Sequence, residues 1–485
     1  MNNYRKRVMS CWLGKAVGGT LGMPFEGADG PFDLYFYDPV PTEMLPNDDL
    51  DLQVVWACVL GRMEKIEVNR HALAQAWLDH VDFPWDEYGV ALRNLKNGLK
   101  PPLSGSHDNW FQNGMGAPIR SEIWACLAPG QPELAAAYAY EDACVDHADD
   151  GIWGEVFLAA LESAAFVESD IKVLLRDALH TLPDDSRVKR AVIDTQHWWD
   201  DLHDWRAVRE LILQHHGHEN FTDAPMNIAF TALGWLAGEG DFSRAICIAT
   251  NCGKDTDCTA ATVGALMGII NPDCIPEKWL EPIGRDLVLS PAITGLNPPD
   301  TLDGFTDLVL DLQKRLNGRW PDVIDEEQNA AHLNIEVLMG FAPSMPAANA
   351  LELPDKMRRV ELKSTFTTLP KSTFEDEIAI VEYPFILEEN REVLVMFNTP
   401  QSCRVWVDGA FLLERESGVM APSFHRAPPH QVAAIYLEKG RHTLTAAVQR
   451  PADAQDAQWV VGIGDAVSKQ WIVEAFLPVL LSAVS

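Results

Sequence analysis

Long apolar runs are missing from this chain: no stretch of 18 apolar residues occurs in its 485, so a membrane-spanning helix is not expected. Basic charge is scarce as well. Against 71 Asp and Glu stand 38 Lys and Arg, a formal net charge of −33. Nowhere do Lys and Arg gather into the cluster that a phosphate backbone requires, so neither nucleic acid nor an anionic membrane is an expected partner. Cysteine is unpatterned. The nine cysteines are scattered, odd in number and without a CxxC pair, which argues for a reducing compartment and against a zinc ribbon. The opening MNNYRKRVMSCWLGKAVGG reaches Gly14 and Lys15 before any apolar core of a secretory signal develops, so a cytoplasmic, soluble protein is expected. No internal repeat or low-complexity tract is visible.

What is present is globular: 47% hydrophobic and 22% charged residues. The length exceeds what one hydrophobic core sustains and calls for about two or three domains. From about residue 4 to 340 the pattern is helical. Leu52, Val55, Trp56, Val59 and Met63 form one stripe of a helix that begins just after Asn47-Asp48-Asp49. Residues 154–167, 228–238 and 258–270 are rich in Ala, Gly and Leu, small enough for helices to approach closely in a bundle. Ala342 to Pro354 holds three prolines without periodicity and is expected to be a linker. Beyond it come β-branched and aromatic runs, with Asp408-Gly409 a type I′ hairpin signal and Lys439-Gly440 a second turn candidate. The expected architecture is an all-α domain over 1–341, a linker over 342–370, and a jelly-roll-like β-sandwich over 371–485.

Two acidic clusters stand out. Asn47-Asp48-Asp49-Leu50-Asp51 and Asp255-Thr256-Asp257-Cys258 each lead into an apolar helical stretch, and Lys254 is the lone basic residue beside them. A single acidic pair before a helix more often caps it than binds anything. Two clusters brought together would be different, because crowded carboxylates raise one another's pKa unless a cation neutralises them. Oxygen donors with few histidines suit magnesium, manganese or calcium rather than zinc.

Five segments, WLGKAVGGTLGMPFEG (12–27), PNDDLDLQVVWA (46–57), FQNGMGAPIRSEIW (111–124), DHADDGIWGEVFLAAL (146–161) and NCGKDTDCTAATVGALMG (251–268), resemble in order the signature blocks of the ADP-ribosylglycohydrolase family. The resemblance implies a compact all-α domain holding two divalent cations, Mg2+ or Mn2+ with Ca2+ as the alternative, and hydrolysis of a glycosidic bond at C1 of a ribose. By position it implies Asn47, Asp48, Asp49, Asp255, Asp257 and Cys258 as metal ligands. Glu26, Asp48 and Asp255 are the implied catalytic acids, with Glu26 first to activate water. Asp146, His147, Asn113, Gly114 and Trp153 would line the substrate cleft. The chain departs from the family where Asn47 and Cys258 replace Thr or Ser, where Gly19 replaces a frequent Asp, and where Leu50 replaces a frequent Thr. Cys258 is a soft donor ill suited to magnesium, and Asp51 is a candidate substitute ligand.

Taken without the resemblance, Glu26 is a loop acid beside Gly27, His147 a satisfied helix-start imidazole, Asp149 and Asp150 caps of the following helix, Trp153 core, and Asn113-Gly114 a tight turn. Three functions compete. One is a hydrolase of an N-linked ADP-ribosyl bond. Another is an O-glycosidase acting on a pentofuranoside or another small glycoside, favoured by the appended β-domain and by the lack of an Arg-rich loop for two phosphates. The third is an inactive, crystallin-like binding protein. The expected partner is a small glycoside or an ADP-ribosylated substrate, and nothing in the sequence sets the oligomeric state.

Overall fold

A computed structural model of the chain describes residues 2–322, 335–452 and 455–476. The chain divides into two units. Residues 1–82, 100–106 and 111–326 form one, and residues 83–99, 107–110 and 327–485 form the other.

Among the described residues the first unit is helical, and its centre is the pairing of the opening helix, Asn2–Gly22, with Thr256–Ile270. The reason is written at intervals of four. A Cβ added at Gly14 would lie 2.0 Å from the Gly264 carbonyl oxygen, one at Gly18 would lie 2.1 Å from that of Ala260, and one at Gly22 would lie 2.3 Å from that of Thr256. Only side-chain-free positions let the two backbones approach this closely, so the i, i+4 ridge of one helix lies on that of the other. The helices run antiparallel. The end of the first, at Gly22, is therefore laid against the start of the second, at Thr256 and Asp257.

The expected helix after Asn47 spans Asp48–Arg62, those over 228–238 and 258–270 fall within Ala224–Gly238 and Thr256–Ile270, and the one over 154–167 is Asp149–Ala164, which ends three residues earlier than the apolar stretch. No helix among the described residues is long and apolar enough to cross a membrane.

The second unit carries ten strands among the described residues: β1 (Ile335–Ala342), β2 (Arg358–Leu362), β3 (Phe366–Leu369), β4 (Ile378–Leu387), β5 (Arg391–Asn398), β6 (Cys403–Val407), β7 (Ala410–Arg415), β8 (Val432–Leu437), β9 (Gly440–Gln449) and β10 (Ala457–Asp465). They form two antiparallel sheets, ordered β2-β1-β4-β9-β6-β7 and β3-β10-β5-β8. Val337, Val381 and Leu444 of one sheet and Val395, Phe397 and Trp459 of the other share one buried core, as alternation in a two-layer sandwich requires. The expected β-sandwich is present. Asp408 and Gly409 both take positive φ, 50° and 78°, and close the β6–β7 hairpin as the Asp-Gly signal requires. Lys439-Gly440 is a turn of another kind, because it passes the chain from β8 in one sheet to β9 in the other.

Two boundaries differ from the sequence expectation. The helical pattern does not run to 340, since β1 begins at Ile335. The 342–370 segment is no free linker: it contains β2 and β3, and its proline-rich part covers the outer face of the six-stranded sheet. There Met345, Leu351 and Met357 pack on Ile378, Ile380 and Trp406. The Trp406 indole N–H donates to the Ala348 carbonyl at 2.9 Å and Arg404 to that of Pro346 at 2.7 Å. Proline fixes such a strap without any periodicity, which is why it resembles a linker in sequence. A third difference has no sequence signal: the helix Asp86–Lys96 belongs with the strands. Arg93 donates to Thr365 and stacks 4.5 Å from the Trp471 ring, Asp108 accepts from Thr365, and Asp86 pairs with Arg426.

Candidate metal centre

Three local structures build the site, all in the helical unit. Asn47 is in extended backbone and accepts the Asp49 amide on its Oδ1 at 2.7 Å, the N-cap that starts the Asp48–Arg62 helix and holds Asp48, Asp49 and Asp51 in its first turn. Asp255 stands at the N-cap of Thr256–Ile270, with Asp257 in its first turn. Both helix starts offer partial positive charge to carboxylates. The third piece is the turn after the opening helix. Gly27 donates to the Lys254 carbonyl at 2.9 Å and Lys254 returns its amide to Ala28 at 2.7 Å, which ties residues 26–28 to the loop before Asp255.

The result is two overlapping groups of ligand atoms, each drawn together within 4.8 Å: Glu26, Asp255 and Asp257 in one, Asp49, Asp257 and Cys258 in the other. Asp257 belongs to both. Glu26 is exposed, whereas Asp49, Asp255 and Asp257 are only 1%, 2% and 4% exposed. Asp255 Oδ2, Asp257 Oδ1 and Asp49 Oδ2 are buried and find no donor among the described residues. Burial pushes the Asp255 and Asp257 carboxyls well above the usual range, and the neighbouring Glu26 charge pushes them further. Burial likewise raises the Cys258 thiol, with Asp255 and Asp257 adding to the effect. Buried anions with orphaned oxygens are costly unless a cation compensates them, so this donor set fits a hard divalent ion.

The structure assigns several of the expected site residues elsewhere. Asn47 is not posed as a ligand: its carbonyl oxygen serves the cap and its Nδ2 donates to Asp257 Oδ2 at 3.2 Å. Gly19 leaves the room for this, because a Cβ there would stand 3.0 Å from Asn47 Nδ2. Asp48 is half-buried beside both groups and adds its charge to Asp257 and Cys258, without belonging to either. Asp51 belongs to neither group, and its Oδ1 is a further buried oxygen without a donor among the described residues. Asp51 accepts the Ser290 amide at 3.0 Å, and burial pushes its carboxyl up to about 8.

His147 and Asp146 are fully buried and so do not line an open cleft. Asp146 accepts from the Arg120 guanidinium at 2.6 Å and stands 3.1 Å from His147 Nδ1, while His147 Nε2 accepts the Ala117 amide at 3.2 Å. Arg120 also binds Asp142 at 3.0 Å, and the Trp124 indole bridges Asp142 to Glu155. Asn113 is a cap supplied from another loop, its Oδ1 accepting the Asp150 amide at 2.9 Å at the start of Asp149–Ala164. Gly114 pairs its backbone with Asp223. Trp153 lies 6.1 Å from the Tyr140 ring, packing between helices. Asp150 serves a different helix from the one expected: it accepts the amides of Arg187 and Val188 in the first turn of Arg187–Leu202, beside the N-cap Ser186.

Sequence reasoning missed the layer behind the acids. Lys15, 1% exposed, donates to Asp49 Oδ1 at 3.1 Å and to Glu122 Oε1 at 2.8 Å. Burial opposes the charge on Lys15, but the Glu122 and Asp49 carboxylates overcome it and hold the ammonium protonated well above the usual lysine value. Gln53 donates to Glu122 Oε2 at 2.8 Å and fixes its other oxygen. The available signal was a lone lysine inside the apolar, glycine-rich WLGKAVGG.

Converging helix starts and buried carboxylates define the class of site, an acidic cluster on a helical scaffold whose donors could hold a metal ion. The sequence model of the ADP-ribosylglycohydrolase family matches residues 1–316, well over half of the chain, and the chain belongs to that family. Membership carries with it a glycohydrolase-type function. No curated protein matches the chain in sequence. A solved structure described as an ADP-ribosylglycohydrolase-related protein complex is 19% identical, covering 65% of this chain and 99% of its own, with a TM-score of 0.46. A β-glucosidase from Kluyveromyces marxianus is 10% identical over 32% of this chain and 21% of its own, at a TM-score of 0.22. An α-xylosidase from Xanthomonas citri is 12% identical over 30% and 15%, at 0.17.

Proposed function

We propose that the chain is a divalent-metal-dependent hydrolase that cleaves a glycosidic bond at C1 of a ribose-like sugar. The observation that carries this reading is the convergence of Glu26, Asp49, Asp255 and Asp257, with buried oxygens that no side chain satisfies. Asp255 and Asp257, with Glu26 at the open side, would hold the ion, Mg2+ or Mn2+. Bound there, it would supply Lewis acidity and orient sugar hydroxyls. Glu26 is the exposed member, so the carboxylate oxygen it does not give to the ion takes the proton from the attacking water. Lys15 and Gln53 keep Glu122 and Asp49 in place beneath the cluster. The bond broken is the C1 to leaving-group bond through an oxocarbenium-like transition state, its electron pair leaving with the departing atom, and the new bond joins C1 to the water oxygen; the proton taken by Glu26 returns through solvent to the leaving group.

A second reading, an O-linked pentofuranoside rather than an ADP-ribosyl bond, is favoured by the cations around the 26–34 turn. Lys254 pairs with Asp29 and Arg206 with Asp33, so each already has an aspartate where a diphosphate would need it. Release from ADP-ribosyl-arginine, measured beside a panel of aryl furanosides, separates the two. Turnover of the furanosides alone selects the second reading, and turnover of ADP-ribosyl-arginine selects the first. Failure on both panels with metal bound would return the chain to the binding-protein class.

A further inference from the structure

The two overlapping ligand groups are not equivalent. Glu26, Asp255 and Asp257 offer carboxylate oxygens alone. The other group shares Asp257 with the first, and its remaining members are a thiol, Cys258, and Asp49. Asp49 already has a cation on one oxygen, because the Lys15 ammonium lies 3.1 Å from its Oδ1 in a fully buried setting, and its Oδ2 alone is left without a donor. The fourth wall is Asn47, which turns its amide N–H rather than its carbonyl toward Asp257 Oδ2. A hard cation placed in that second group would meet Asp257 shared with the first group, the nearby Asp48 charge, one carboxylate of its own, a soft sulfur, an amide donor and a fixed positive charge behind the carboxylate. Each of the last three works against it.

We propose that this chain holds a single divalent cation, in the Glu26–Asp255–Asp257 group, and that the Lys15 ammonium together with the Asn47 amide occupies the electrostatic place of a second. The inference rests on the metal-dependent reading above and narrows it. Lys15 is a residue of the opening helix, held upright by Glu122 and Gln53, so its charge is part of the scaffold and not exchangeable with solvent. Glycine at 19 is the companion feature, since it leaves the space into which the Asn47 amide is turned.

Titration of the metal-stripped full chain with Mn2+ alone tests this, with bound metal counted by elemental analysis and its magnetic state read by electron paramagnetic resonance. One manganese per chain with the six-line spectrum of an isolated ion is the expected result. Two manganese ions per chain with an exchange-coupled spectrum overturn the single-ion proposal and leave metal dependence standing. No manganese bound overturns both. The paired variant Lys15→Met with Glu122→Gln removes the ammonium and one of the two buried acids it serves, leaving Asp49 as the carboxylate a second ion would neutralise, and in this variant binding is expected to rise from one manganese toward two. A folded double variant that still binds one ion overturns the role given to Lys15. Should it fail to fold by circular dichroism, the count in the unaltered chain still decides the proposal.

Discussion

At the residue scale, the cluster makes Asp257 the least replaceable acid, because it is the one side chain common to both ligand groups. Asp257→Asn is expected to weaken manganese binding by at least ~100-fold while leaving the melting temperature within a few degrees, since the site is costly in the absence of metal; calorimetric titration checks it. Arg120 is the opposite case, a buried charge that serves stability. Arg120→Met would leave Asp142 and Asp146 in the core without their cation and is expected to cost about 3–5 kcal/mol in denaturant unfolding. A loss below about 1 kcal/mol would contradict the placement of Asp146 and His147 as framework. In the β unit, burial lowers the His425 imidazole to about 4, beside Ser423, whose Oγ lies 2.7 Å from Nδ1. The folded value lies below the unfolded one, near 6.5, so the stabilisation is complete above about pH 6.5 and is lost as pH falls toward 4. His425→Asn should flatten this part of the thermal stability profile between pH 7 and 4; parallel profiles would remove His425 as a cause. Individual residues were legible where chemistry is local. Asp255 and Asp257 stand out because a second acidic cluster, Asp48 and Asp49, also leads into an apolar helix, whereas Lys15 and Glu122 are 107 positions apart and nothing local marks them as partners.

At the element scale, the site exists because two helices touch. The glycines at 14, 18 and 22 set that contact, and their spacing of four is visible in sequence, but the helix they meet is not. Gly18→Ala would put a methyl carbon 2.1 Å from the Ala260 carbonyl oxygen, so the helices must separate. We expect a loss of about 1–3 kcal/mol or more from overpacking and, because Asp255 and Asp257 ride on the displaced helix, weaker metal binding in the folded fraction. Unchanged affinity would mean the helix contact and the acid cluster are independent. The helices themselves were legible from caps and apolar stripes, Asn47 before Asp48–Arg62 being the clearest. The strap over 343–357 was not, because its stability comes from packing on Trp406 and not from its own pattern.

At the scale of the whole molecule, the chain is divided by fold but not by sequence order. A helical domain ending near 341 followed by a separate β-domain is the simplest reading of the composition shift, yet residues 83–99 and 107–110 belong with the strands. Arg93 and Asp108 sit inside the β unit on Thr365 and Trp471, contacts that no periodicity announces. A chain truncated after residue 322 would keep the helix Asp86–Lys96 and lose what it packs on. Hydrogen exchange over 86–96 is therefore expected to be fast in the truncated chain and slow in the full one, and equal protection would contradict the division. The acid cluster lies wholly in the helical unit, and the central claim is that it makes a metal-dependent glycosidic hydrolase. The most direct measurement is hydrolysis of aryl furanosides and ADP-ribosyl-arginine by the full chain with Mg2+ or Mn2+, after chelation, and after the metal is returned. The expected result is turnover of at least one substrate class that chelation abolishes and metal restores. Turnover indifferent to chelation, or none on either class with metal bound, would contradict it.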